Sequence, residues 1–135
     1  MRIRRLGPGD KDVVLRLAER QPQAALLEDE RCFYVAAFHG EEPVGFVLAY
    51  ELLRRHGDPS VLFVYEIGVD EAHRRRGIGT ALMEELARVA AARGIRSGFV
   101  LTNEANAPAM AFYASLGGIR PCDDDVLWDF RYVAS

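Results

Sequence analysis

Between residues 61 and 93 the spacing of apolar side chains changes period, and a loop of arginine and glycine marks the change. VLFVYEIGV, residues 61–69, is a largely apolar run interrupted by one acid, Glu66, and its length suits a strand. From residue 77 to 93, Ile78, Leu82, Leu86 and Val89 recur at helical spacing, and Gly94 ends the run. The join, HRRRGIGT, holds three arginines and two glycines. A strand, a Gly-rich turn and a helix in that order form a recurring device for holding phosphate. The first N–H groups of a helix lack partners and its dipole favours negative charge there. Gly77 and Gly79 carry no Cβ, so an anion can approach the backbone closely. Arg74, Arg75 and Arg76 add planar forks of donors suited to phosphate oxygens.

The rest of the chain supplies one α+β domain over residues 1–135, with a mixed, mostly antiparallel sheet flanked by helices. IRRL reads as a first strand. A helix follows from Gly9-Asp10 with Val13, Val14, Leu17 and Ala18 as its apolar stripe, and a short helix lies near Ala24 to Leu27. CFYVAAF and PVGFVLAYELL, separated by HGEE, read as an antiparallel hairpin. SGFVLT is a short strand. Asn106 and Pro108 are an N-cap and a first-turn proline for a helix that stops at Gly117-Gly118. The tail VLWDFRY alternates like a last strand, with Val126, Trp128, Phe130 and Tyr132 on one face.

Charge narrows the partners. The net charge is −3, yet every basic residue except Lys11 is arginine and the densest basic spot is Arg74 to Arg76. A basic spot on an acidic chain fits a small anionic ligand better than nucleic acid. No apolar run approaches the ~20 residues of a membrane span, and no apolar h-region follows the N-terminus. Cys32 and Cys122 have neither metal-ligand nor redox spacing, so no metal and a cytoplasmic setting are expected.

Two phosphate-binding patterns fail on detail. A P-loop needs a lysine that is missing here. A dinucleotide loop needs a third glycine where Leu82 stands. What remains is Arg74-x-x-Gly77-x-Gly79, joined downstream by Asn106, Ala109 and Tyr113 in the pattern N-x-x-A-x-x-x-Y, followed by SLG. These two motifs, in this order on this β/α succession, resemble the GNAT N-acetyltransferase family. Within it, FYVAAFHGEEPVGFVLAY, YEIGVDEAHRRRGIGTAL, APAMAFYASLGGIR and WDF are similar to the small aminoglycoside 3-N-acetyltransferases. That subgroup commonly has Asp at the position of Glu66 and an acid-rich segment before its last helix; here the segment is TNEANAPA, with Glu104 its one acid.

The resemblance implies acetyl-CoA as donor and a small cationic amine as acceptor. Residues Arg74, Arg75, Arg76, Gly77, Ile78, Gly79 and Thr80 would take the pyrophosphate. Ile67, Gly68 and Val69 would pair with the pantetheine arm, with the Val69 N–H polarising the acetyl carbonyl and Gly68 allowing a bulge that parts the strands. Asn106, Ala109 and Tyr113 would also touch the donor. Glu66, an acid in an apolar strand, is the general-base candidate, desolvated there and acting directly or through water. Tyr113 is the general-acid candidate for the leaving thiolate. Glu66, Glu104 and Asp129 would face the acceptor, and a homodimer is common in the family. An aminoglycoside is the foremost acceptor; a protein, peptide or metabolite amine is the alternative. A non-catalytic acyl-CoA-binding module is a third reading, which intact Glu66 and Tyr113 oppose.

Overall fold

The computed structural model describes residues 1–132, and the backbone separates into two compact units, Met1–Leu101 and Thr102–Ser135. The first unit holds a five-stranded sheet in the order β1 (Arg2–Arg5), β2 (Cys32–His39), β3 (Glu42–Leu52), β4 (Val61–Val69) and β5 (Ser97–Val100). The first three pairings are antiparallel and β4–β5 is parallel, so the sheet is mixed and mostly antiparallel as expected. The parallel step is made by the crossover helix α2 (Ile78–Ala92), as parallel pairs require.

Strand periodicity assigns the two faces. From β2, Phe33, Val35 and Ala37 join Val47, Leu62 and Val64 beneath Ile78, Leu82 and Leu86 of α2. The alternate residues Tyr34, Ala36 and Phe38 join Leu48 on the other face, under Val13 and Val14 of α1 (Lys11–Leu17) and Leu27 of a short 3-10 turn. With both faces covered, β2 loses its polar alternation and reads as one apolar run. Leu82 is fully buried, which fixes how α2 sits on the sheet and hence where its N-terminus emerges.

Near the N-terminus, Asp10 accepts a two-pronged ion pair from Arg4 at 2.9 and 2.8 Å and a hydrogen bond from the Gly7 N–H at 2.8 Å. The Arg4 contact, ahead of the Gly7 bond, holds the carboxyl below its ordinary range. A depressed folded-state pKa contributes stability above the unfolded value of about 3.9 and loses it as pH falls through the folded value. The urea-unfolding stability of the wild type is therefore expected to exceed that of Asp10→Asn near neutral pH. The gap should close below about pH 4; a gap constant with pH would contradict the ion-pair account.

In the second unit, α3 (Ala107–Ser115) begins where expected: the Asn106 side chain accepts from the Ala109 N–H at 3.2 Å, and a proline occupies the first turn. Gly117, at φ 87°, closes the helix, and the Gly118 N–H donates to the Tyr113 carbonyl at 3.0 Å. The expected last strand is absent among the described residues: 126–132 form no ladder, and Trp128 and Tyr132 are 78% and 93% exposed. Alternation marks which residues would share a face. It does not supply the neighbouring backbone that makes a strand.

Candidate functional site

The pairing of β4 is lopsided. It follows β3 along its whole length, from Leu52↔Val61 to Gly45↔Val69, but follows β5 only from Val61↔Ser97 to Val64↔Val100. Residues 65–69 thus have a strand on one side and an open edge on the other. The Asp70 N–H donates to the Val44 carbonyl at 2.8 Å on the β3 side. A trans peptide points its N–H and C=O in opposite directions, so the Val69 C=O faces away from β3. Arg74 Nε donates to that same oxygen at 3.0 Å. In an extended residue the N–H and C=O share an edge, so the Val69 N–H also faces outward, and alternation puts the Ile67 groups there with it.

The irregularity that accompanies this opening lies at Tyr65. Leu48 faces Glu66 while the next residue, Ala49, faces Val64, leaving Tyr65 as the extra residue of a bulge. The expectation that Gly68 makes the bulge is corrected: Gly68 is in regular register opposite Phe46. Its lack of a side chain serves close packing instead, because a Cβ there would stand 3.0 Å from Phe46 Cε1.

Glu66 shares a face with its partner Leu48, and so with Tyr34 and Tyr50, opposite α2. The apolar strand does not enclose it: the side chain is exposed, correcting the expected desolvation. Its charge is nevertheless felt nearby. Burial first, and Glu66 after it, pushes the Tyr34 phenol above its ordinary value; for Tyr50, burial leads and Cys32, Tyr65 and Glu66 add to it.

Beyond Val69 the chain makes a short 3-10 turn, Glu71–His73, and then the arginine loop. His73 packs against His39 with ring centroids 5.6 Å apart and planes tilted by 48°, and its Nδ1 lies 3.8 Å from Asp70, so it belongs to the loop's support. Arg75 and Gly77 both take left-handed backbone, at φ 63° and 78°. Gly77 is the N-cap of α2 and has no side chain to satisfy the helix start; the first intrahelical bond is Ala81 N–H to the Gly77 carbonyl at 3.0 Å. The N–H groups of Ile78, Gly79 and Thr80 precede that bond and make none within the helix. Arg74, Arg75 and Arg76 are exposed, and none has an acidic partner among the described residues. Free donors at a helix start beside unpaired guanidinium groups suit the oxygens of a phosphate or diphosphate. An open strand edge leads up to them.

The other expected site residues lie in the second unit. Asn106 is the α3 cap, Ala109 is the residue it caps, and Tyr113 is half-buried, with burial pushing its phenol up. Glu104 is exposed and 3.6 Å from Arg120, and Asp129 is exposed. Exposed Cys122, Asp124 and Asp125 bring one ligand atom each within 4.8 Å of one another, a grouping the spacing in sequence did not suggest. A groove of about 790 Å³ lined by Glu28, Asp29, Glu30, Leu53 and Arg93 lies at the other end of β3, away from Glu66. The signal that sequence reasoning missed is the aromatic run Tyr50, Phe63, Tyr65 and Phe99 on the Glu66 face, since its members come from three strands.

Comparison with known proteins matches residues 6–118 to the model of the acetyltransferase (GNAT) family. A solved aminoglycoside acetyltransferase from an uncultured soil metagenomic sample is 32% identical, with a TM-score of 0.83 over 98% of both chains. AAC(6')-Iy, solved with the bisubstrate analogue CoA-S-monomethyl-acetylneamine, shares the fold at 18% identity and a TM-score of 0.78, over 97% of this chain and 98% of that one. An L-2,4-diaminobutyric acid acetyltransferase of Streptomyces anulatus is 43% identical over 58 residues, 42% of this chain; the match spans only 31% of that protein's length.

Proposed function

The chain belongs to the acetyltransferase (GNAT) family, and from that premise we propose that it transfers acetyl from acetyl-CoA to a primary amine of a small cationic acceptor, an aminoglycoside foremost and its 3-amino group in particular. One observation carries the reading: the open edge of β4, residues 65–69, has Glu66 on one face and is joined by the Glu71–His73 turn and the arginine loop to the free donors of α2. The family match continues through residue 118, past the boundary at Leu101, which supports a single catalytic domain.

Each residue has a task in that reaction. The backbone N–H groups of Ile78, Gly79 and Thr80 and the forks of Arg74 to Arg76 hold the donor's diphosphate. Ile67 and Val69 pair with the pantetheine arm along the free edge, with Gly68 between them, and Asn106 and Ala109 complete the donor contacts. The Val69 N–H donates to the thioester carbonyl oxygen, where charge accumulates as nitrogen attacks carbon. Glu66 takes the proton that the amine loses, directly or through water. The C–S bond then breaks, and Tyr113, kept protonated by its raised pKa, returns a proton to the thiolate. The products are an acetamide and free CoA. Exposed acids at Glu66, Glu104 and Asp129 favour a cationic acceptor, and a cytoplasmic setting supplies acetyl-CoA. The exposed tail side chains Trp128, Phe130 and Tyr132 support a homodimer. A metabolite amine is the second reading, favoured by the likeness to the diaminobutyric acid enzyme.

The test is thiol release from acetyl-CoA with gentamicin, spermidine, 2,4-diaminobutyrate and a lysine peptide as acceptors. Turnover of gentamicin with acetyl on the 3-amino group is the expected result. Turnover of diaminobutyrate alone would favour the second reading, and silence with every aminoglycoside would remove the first.

A further inference from the structure

Four rings from three strands meet on the sheet face that carries Glu66. Tyr50 contacts Tyr65 edge-on at 5.7 Å, Tyr65 contacts Phe63 edge-on at 5.8 Å, and Phe63 stacks on Phe99 at 4.9 Å with only 10° between planes. The pairing Phe63↔Phe99 places the last two directly opposite one another across the parallel strands. The bulge is what joins this row to the acid. In a regular strand Tyr65 and Glu66 point to opposite faces; the extra residue lets both stand on the face of Leu48 and Tyr50.

A ring row of this kind is ordinarily core, but here it is open: Tyr65 is 56% and Phe99 42% exposed. Nothing cationic answers the acid, since Glu66 has no ion-pair partner among the described residues. Exposed rings beside an unpaired carboxylate make an amphipathic surface with one negative end, the complement of a cation carried on an apolar frame. Three adjacent strands set the width at about 10 Å, which accommodates a pair of linked six-membered rings laid flat.

We propose that Tyr50, Tyr65, Phe63 and Phe99 form the platform for the body of the acceptor, and that they select a polyamine built on rigid rings, held with one amine at Glu66. This rests on the acetyltransferase reading of Glu66 and sharpens its acceptor. The amine at Glu66 must become neutral to attack, whereas the remaining ammonium groups stay charged and lie over ring faces, where cation–π attraction holds them. Saturated rings cover the aromatic faces with their C–H edges. A flexible chain gains the same contacts only by surrendering its rotational freedom.

The test separates platform from chemistry. Tyr65→Ala and Phe99→Ala are each expected to raise the KM for gentamicin about tenfold, with the KM for acetyl-CoA unchanged, and Tyr65→Phe is expected to restore the wild-type value. Spermidine, which has no ring, is expected to respond less than threefold. Gentamicin KM values unmoved in both alanine variants would overturn the platform while leaving the transfer reaction intact. An equal response by spermidine would overturn the preference for rings. Should the wild type acetylate no amine, the transfer reading itself fails, and saturation-transfer NMR on the free protein decides the platform: contact from aromatic protons to gentamicin that Tyr65→Ala abolishes supports it, and no contact in the wild type overturns it.

Discussion

Glu66→Gln is expected to lower kcat/KM for the amine acceptor by about a hundred- to ten-thousand-fold, the range for loss of a general base. The substitution keeps the length and shape of the side chain and replaces only the proton-accepting oxygen. Glu66 is exposed and opposite Leu48 in regular pairing, so the fold has little stake in its charge. Acetyl-CoA binding, which the proposed reaction assigns to backbone groups of residues 67–69 and the loop after them, should be unchanged. Calorimetric titration with acetyl-CoA beside the thiol-release rate distinguishes the two effects. Loss of both together would mean that Glu66 supports the donor site instead. Glu66→Asp adds a finer reading: substantial retained activity would favour a water between carboxylate and amine, because direct contact tolerates a shortened side chain poorly.

Gly77→Glu is expected to raise the KM for acetyl-CoA by about ten- to a hundredfold, with the acceptor KM little changed. Two effects add. Gly77 sits at φ 78°, a left-handed conformation that costs a residue with Cβ roughly 1–2 kcal/mol. The new carboxylate would also stand at the start of α2, where its charge opposes a diphosphate and its oxygens compete for the same N–H groups. Space is not the obstacle, since a Cβ at this position meets no atom within 4 Å. Gly77→Ala therefore isolates the backbone term and should show a smaller rise. A thermal melt of both variants checks that the helix start is intact. Unchanged donor affinity in Gly77→Glu would take the loop out of the binding site.

The parts of this site that were legible in sequence are those built by neighbours along the chain. HRRRGIGT holds a left-handed glycine and a helix start within eight residues, just beyond the end of β4 at Val69, and the structure joins them locally. Asn106 and Pro108 likewise announce α3 through short-range capping. What escaped depends on partners far away in sequence. The bulge sits at Tyr65 because β3 slips by one residue between Leu48 and Ala49; Gly68, the residue whose type invites a bulge, stays in register. The exposure of Glu66 follows from that slip and from β5 ending its pairing at Val100. The ring row needs Tyr50, Phe63, Tyr65 and Phe99 brought together from three strands, which no single stretch records. The tail shows the converse. Its alternation predicts a strand, but residues 126–132 have no backbone partner among the described residues, so none forms.

In the proposed reaction, acetyl passes from acetyl-CoA to an amine only with the Glu66 carboxylate in place. Incubating wild type and Glu66→Gln with acetyl-CoA and gentamicin, and weighing the gentamicin by mass spectrometry, tests it most directly. The expected result is one acetyl group added by the wild type and none by Glu66→Gln over the same interval. Equal acetylation by both proteins would contradict the role of Glu66, and unmodified gentamicin in both would contradict the aminoglycoside as acceptor.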